Sequence, residues 1–204
     1  MKITSINRQM RATGRYSIFI DEKYSFSLSA ESLLDAKIVP GQEIDDEQLK
    51  CYQKLSIDDK AYGLALMYIA RRMRSRYELM NYFKRKEYDE SLVEGILEKL
   101  DRLGLVDDEK FAEAWIRNRR LLKSVSKRRL AMELRQKGIS ESTAAGALSD
   151  DASDDRTVLR ELIVKRRRQT RYQDNEKLLR YLMRQGFSYD DVKASLAAED
   201  LLSD

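Results

Sequence analysis

The chain has 204 residues, 36% charged and 42% hydrophobic, with a net charge of +4 and a pI near 9.0. That supports packed cores but not membrane insertion: no run approaches the ~18 consecutive apolar residues of a span, and Met1-Lys2-Ile3-Thr4-Ser5 lacks the apolar stretch of a signal peptide. Histidine is absent and cysteine occurs once, at Cys51, which leaves no internal disulfide, no zinc site and no histidine general base.

Residues 1–50 have a different character, with strand, a short helix and a turn. Tyr16, Ile18 and Ile20 alternate with Ser17 and Phe19, and Tyr24, Phe26 and Leu28 alternate with Ser25 and Ser27. The polar Asp21-Glu22-Lys23 between them predicts a β-hairpin, to which Ile3–Arg8 adds a third strand. Ser29 caps a short helix through Leu33 and Leu34, and Pro40-Gly41 marks a turn. Cys51 is expected to be buried or half-buried, in a protein of the reducing cytoplasm.

From Leu55 onward the chain reads as helices in triplets, at about 58–73, 75–86 and 89–103, then 107–123, 126–136 and 140–149, then 153–169, 174–184 and 188–202. The triplets are a repeat: Ser75 through Val93 lies on Ser126 through Ala144 at an offset of 51, and on Asp174 through Val192 at a further 48. Leu79, Leu130 and Leu178, and four residues later Phe83, Leu134 and Leu182, share one helix face. Ser75, Ser126 and Asp174 are helix caps, the first with Glu78 in a capping box. Gly138 and Gly186 suit the left-handed residue that ends a helix, where the first unit has Glu87. The helix with Leu64, Leu66, Met67 and Ile69 is apolar nearly all round and is expected to be deeply buried. The next unit's opening helix should turn Phe111, Ala114, Trp115 and Leu122 inward. The acidic run Ser149–Asp155 is the expected hinge.

The fold expected is mainly α: three tandem three-helix units in an elongated array, preceded by a small N-terminal β-hairpin extension. The divisions are 1–54, 55–104, 105–149 and 150–204. Such stacks present extended recognition surfaces rather than pockets.

Four basic clusters mark the candidate binding surface: Arg71, Arg72, Arg74 and Arg76; Arg117, Arg119 and Arg120; Lys127, Arg128 and Arg129; and Lys165, Arg166, Arg167 and Arg168. The acids gather elsewhere, which points to a polyanionic partner. Lys127–Arg129 opens a helix, where the macrodipole disfavours cations, so a ligand is the better explanation there. Tyr77, beside Arg76, is the candidate base-stacking residue, whereas helical spacing assigns Tyr68 and Trp115 to the core. Asp107-Asp108 and the matching Asp58-Asp59 read as helix caps rather than as a metal or acid–base pair. No nucleotide-binding glycine motif is present, and no cofactor is expected.

Leu103-Gly104-Leu105-Val106-Asp107-Asp108-Glu109-Lys110-Phe111-Ala112 resembles a signature of the RecX family of bacterial regulatory proteins. So do Ser75-Arg76-Tyr77-Glu78-Leu79, with Lys86-Glu87-Tyr88-Asp89 after it, and Glu133-Leu134-Arg135-Gln136-Lys137-Gly138-Ile139. The resemblance covers roughly 58–196, and the hairpin looks like the extension that some members carry. It implies three tandem three-helix units and a modulator of the RecA recombinase. Such a protein binds RecA and its filament on single-stranded DNA, lodges in the filament groove and suppresses ATP hydrolysis and strand exchange. Direct binding to single- and double-stranded DNA is implied too, with no catalytic residues; separately from the resemblance, a monomer of the cytoplasm is expected. The alternative is a stand-alone helical DNA-binding protein that acts without RecA.

Overall fold

A computed structural model describes residues 1–10 and 14–203, with side chains through residue 198. Three antiparallel strands, β1 (Ile3–Arg8), β2 (Arg15–Ile20) and β3 (Lys23–Ser29), form a sheet in sequence order. Asp21 and Glu22 both take positive φ, 46° and 67°, as a tight hairpin turn with matching twist requires. A bulge after Ile18 shifts the register, so Tyr24 pairs with Phe19 and stands 58% exposed while Phe26 and Leu28 are buried.

Ten α-helices follow among the described residues: α1 (Ala30–Asp35), α2 (Asp46–Ala70), α3 (Arg76–Lys84), α4 (Glu90–Arg102), α5 (Asp108–Leu122), α6 (Lys127–Gln136), α7 (Glu141–Ser149), α8 (Asp155–Arg167), α9 (Asn175–Arg184) and α10 (Tyr189–Ser203). The chain divides into two compact bodies, residues 1–73 with 82–105, and 74–81 with 106–204. In the first, Ile3, Ile18, Ile20, Phe26 and Leu28 form a core with Ile38 and Ile44, and Leu49, Tyr52 and Leu55 of α2 pack against it. The second holds two cores. One lies among α5–α7 around Phe111, Ile116, Leu130 and Leu134, and the other among α8–α10 around Leu159, Ile163, Leu178 and Leu182. The repeated leucines Leu79, Leu130 and Leu178, with Phe83, Leu134 and Leu182, are all fully buried. That is the periodicity expected of one helix face.

Several expectations are corrected. α2 starts at Asp46 rather than near 58, because Asp45 and Gln48 form a reciprocal capping box there. Asp58 and Asp59 are therefore interior to a helix and do not cap it. Only Ala61 and Ala65 of α2 are buried, and Met67 is 60% exposed, so apolar content all round did not translate into deep burial. Leu122 is 78% exposed: it is the last residue of α5, beyond Phe111, Ala112 and Ile116, which the helix buries. Cys51, in the outer part of α2, is exposed rather than half-buried.

Candidate functional site

The second body has one junction built twice. Ser75 and Ser126 are its buried polar residues. Each hydroxyl caps its helix, accepting from the backbone N–H of Glu78 or Arg129 at 3.2 Å. Each also donates onward to the carbonyl that precedes a glycine turn: Ser75 Oγ to Lys137 at 2.7 Å, and Ser126 Oγ to Gln185 at 3.3 Å. The first free N–H of each helix is taken by an aspartate further along the chain. Asp108 accepts from the Arg76 N–H at 2.9 Å, and Asp155 accepts from the Lys127 N–H at 2.9 and 3.0 Å. In each Asp-Asp pair the first residue, Asp107 or Asp154, caps its own helix and the second caps another. Asp59 follows the same logic in the first body: it accepts from the Ser29 N–H at 2.9 Å at the start of α1, from Ser32 Oγ at 2.7 Å, and pairs with Arg15 at 2.7 Å.

These junctions divide the basic clusters. Arg120 is held by Asp151 through Nε and Nη2 at 2.9 and 2.7 Å, reaches Asp155 at 3.2 Å, and is only 12% exposed. Lys127 Nζ donates to the Asp151 carbonyl at 2.9 Å. Arg119 lies 2.7 Å from Glu133 as an ion pair, without an aligned Nε–H bond, and stacks over Trp115. Arg129 shares Glu133 at 3.3 Å. Arg166 donates to Tyr181 Oη at 2.7 Å and lies over that ring; Arg167 donates to the Gln173 carbonyl at 2.9 Å and to Asn175. Arg74 pairs with Glu78 at 4.0 Å, Arg72 donates to the Met73 carbonyl, and Arg76 is half-buried. Five members remain solvent-exposed with no ion pair among the described residues: Arg71 in the first body, and Arg117, Arg128, Lys165 and Arg168 in the second. Tyr77 is 47% exposed and lies directly against Gly138. Trp115 and Tyr68 are packed, Trp115 on Phe111 and Tyr68 stacked on Tyr82 at 4.3 Å.

The charges in these junctions are tuned by the fold. Burial pushes the Asp151 carboxyl up, but hydrogen bonds from Arg120 and Ser153 bring it below the ordinary carboxylate range. Asp59 behaves alike: burial raises it, and Ser29, Ser32 and Arg15 outweigh that burial. Asp107 and Asp154 are lowered chiefly by the helix N–H groups they cap. Asp151 and Asp155 also make the acidic segment a strap tied to Arg120 and Lys127 rather than a free linker.

One feature escapes sequence reasoning. α6, α9 and the turn into α10 border an open cleft of about 660 Å³, lined by Arg128, Arg129, Met132, Met183, Arg184 and Tyr189 among others. Arg184 belongs to no cluster and sits in the last turn of α9, where the helix dipole favours a cation. No group of metal-ligating side chains occurs among the described residues, and no described helix is long and apolar enough to cross a membrane.

Three family descriptions match consecutive parts of the chain: the regulatory protein RecX N-terminal domain over 1–45, the first RecX three-helix domain over 61–100 and the second over 107–148. The RecX regulatory protein of Halalkalibacterium halodurans is 40% identical over 153 residues, covering 72% of this chain and 57% of that relative. Those of Bacillus pumilus and Clostridium perfringens are 31% and 30% identical, over 95% and 93% of this chain and 76% and 92% of the relatives. A crystal structure of regulatory protein RecX superposes with a TM-score of 0.72 at 29% identity, over 94% of this chain and 97% of that one. With the sheet, the helical triplets and these matches in the same order along the sequence, the chain belongs to the RecX family of regulatory proteins.

Proposed function

We propose that this chain is a cytoplasmic regulator of homologous recombination that binds the RecA recombinase and its filament on single-stranded DNA, lodges in the filament groove, and inhibits ATP hydrolysis and strand exchange without chemistry of its own. The observation that carries the reading is the set of cations left over once the fold has used its share. Arg117, Arg128, Lys165 and Arg168 are exposed with no ion pair among the described residues. Lys165 and Arg168 lie at the end of α8, where the helix dipole favours cations, but Arg117 and Arg128 have no such reason from folding, and a polyanion neutralises such charges with release of counterions. Family membership supports RecA as the partner: relatives of this chain are named regulatory protein RecX.

DNA-dependent ATP hydrolysis by RecA, titrated with the full chain, tests this. Inhibition is expected at well under one molecule per RecA protomer, because several weak contacts on one chain raise the effective concentration. Tight binding to DNA with no inhibition replaces this reading with that of a stand-alone DNA-binding protein.

A further inference from the structure

The cleft beside α6 and α9 combines two properties that the regulatory reading leaves unused. Three large exposed apolar side chains line it, Met132 at 48%, Met183 at 44% and Tyr189 at 49%. Arg128 and Arg184 line it as well, both exposed and without an ion-pair partner among the described residues, while Arg129 is occupied by Glu133. Apolar surface held open to water beside unpaired arginines is poor design for a solvated face. It matches the composition of protein-recognition surfaces, which are enriched in Met, Arg and aromatic residues. Unbranched methionines also adapt to apolar partners of varied shape.

We propose that this cleft docks an acidic protein segment with apolar anchors, its carboxylates on Arg184 and its apolar side chains on Met132 and Met183. A single nucleic-acid strand fits less well. Strand binders present successive aromatic platforms beneath the bases. Here Tyr189 is the one exposed ring lining the cleft, and Lys193 Nζ already approaches it at 6.0 Å. Asp191 borders the adjoining lobe. It opposes an unbroken line of phosphates more than a peptide whose carboxylates are spaced. The inference deepens the regulatory reading by giving the chemistry of the protein interface, and rests on that reading only for who the partner is.

The test uses the full chain and two labelled probes in fluorescence anisotropy: oligo-dT, and a peptide with leucines at i, i+3, i+4 and i+7 and glutamates between them. The peptide is expected to bind at least about tenfold more tightly than a scrambled sequence of the same composition. Met183→Asp and Arg184→Glu, both at exposed positions and checked for helicity by circular dichroism, should each weaken peptide binding about tenfold or more. Both should leave oligo-dT affinity within about threefold, since neither side chain is assigned to a phosphate. Equal binding of the scrambled peptide overturns the proposal. So does a loss of oligo-dT affinity in step with peptide affinity, which assigns the cleft to nucleic acid. Failure of RecA inhibition beside intact peptide binding sinks the regulatory reading and leaves this one standing.

Discussion

Arg120 and Arg128 carry the same charge eight residues apart, yet the fold spends one and leaves the other. Arg120 is pinned between Asp151 and Asp155, so Arg120→Ala strands a nearly buried carboxylate. We expect a loss of about 2–3 kcal/mol in urea denaturation, less than a fully buried pair because the guanidinium still meets some water. Arg128→Glu should change stability by less than about 0.5 kcal/mol. It should instead weaken binding to single-stranded DNA and reduce the salt slope by roughly 0.7 for each phosphate that the arginine had neutralised. An unchanged slope would make Arg128 a merely solvated charge. Asp59 and Asp151 add a pH signature. Both have lowered folded values, so their stabilisation is fully present above the ordinary 3.8 and is lost as pH falls through the folded value. Asp59→Asn and Asp151→Asn should therefore lower Tm at neutral pH, with the gap from the parent closing below 3.8. A constant gap in a pH series of thermal melts would contradict this.

Among the elements, the glycine turns after α6 and α9 are where geometry is least forgiving. Gly138 has φ +76°, and a Cβ there would fall 2.2 Å from Tyr77 Cβ; Gly186 has φ +94°, and a Cβ would fall 2.6 Å from Arg129 Cβ. Glu87, at the equivalent position after α3, also takes a left-handed φ, of 58°, so the turn itself tolerates a side chain there. Gly138→Ala and Gly186→Ala should each cost more than the roughly 1–2 kcal/mol of left-handed strain alone, since a helix start must also back away. Glu87→Gly should be neutral or stabilising by up to about 1 kcal/mol. Equal and small effects at all three positions would show that the close approach at the two glycines is unimportant. Deleting core apolar volume on the repeated helix face, as in Leu130→Ala, should cost about 2–5 kcal/mol.

At the scale of the molecule, the strap from Asp151 to Asp155 changes what truncation does. A chain ending at Ser149 loses the carboxylate partners of Arg120 and the partner of the Lys127 N–H, along with Gln185, which receives Ser126. It should melt below the Arg120→Ala variant and inhibit RecA far less than the full chain. Equal inhibition by the two would rule out cooperation between the helical units.

What the sequence by itself determined is what local chemistry writes. Ser29, Ser126 and Asp174 mark helix starts because the capping oxygen lies within three residues of the N–H it accepts. Period-4 apolar residues mark a buried face because a helix repeats every 3.6 residues. The repeat and the family motifs were legible for the same reason, each being a short pattern of caps, turns and apolar spacing. The true start of α2 was missed although its capping box is just as local. Which cations are free to bind was decided only by tertiary structure. Arg120 is neutralised by residues 31 and 35 positions away, and the Lys127 N–H by one 28 positions away. At the level of sequence, Arg120 and Arg128 are both members of basic clusters, and nothing local shows that Arg120 has carboxylate partners. Arg184, in no cluster at all, joins Arg128 because the turn before α10 returns beside α6. Charge clustering is a property of the chain, whereas pairing and exposure depend on carboxylates that approach only after the helices have packed.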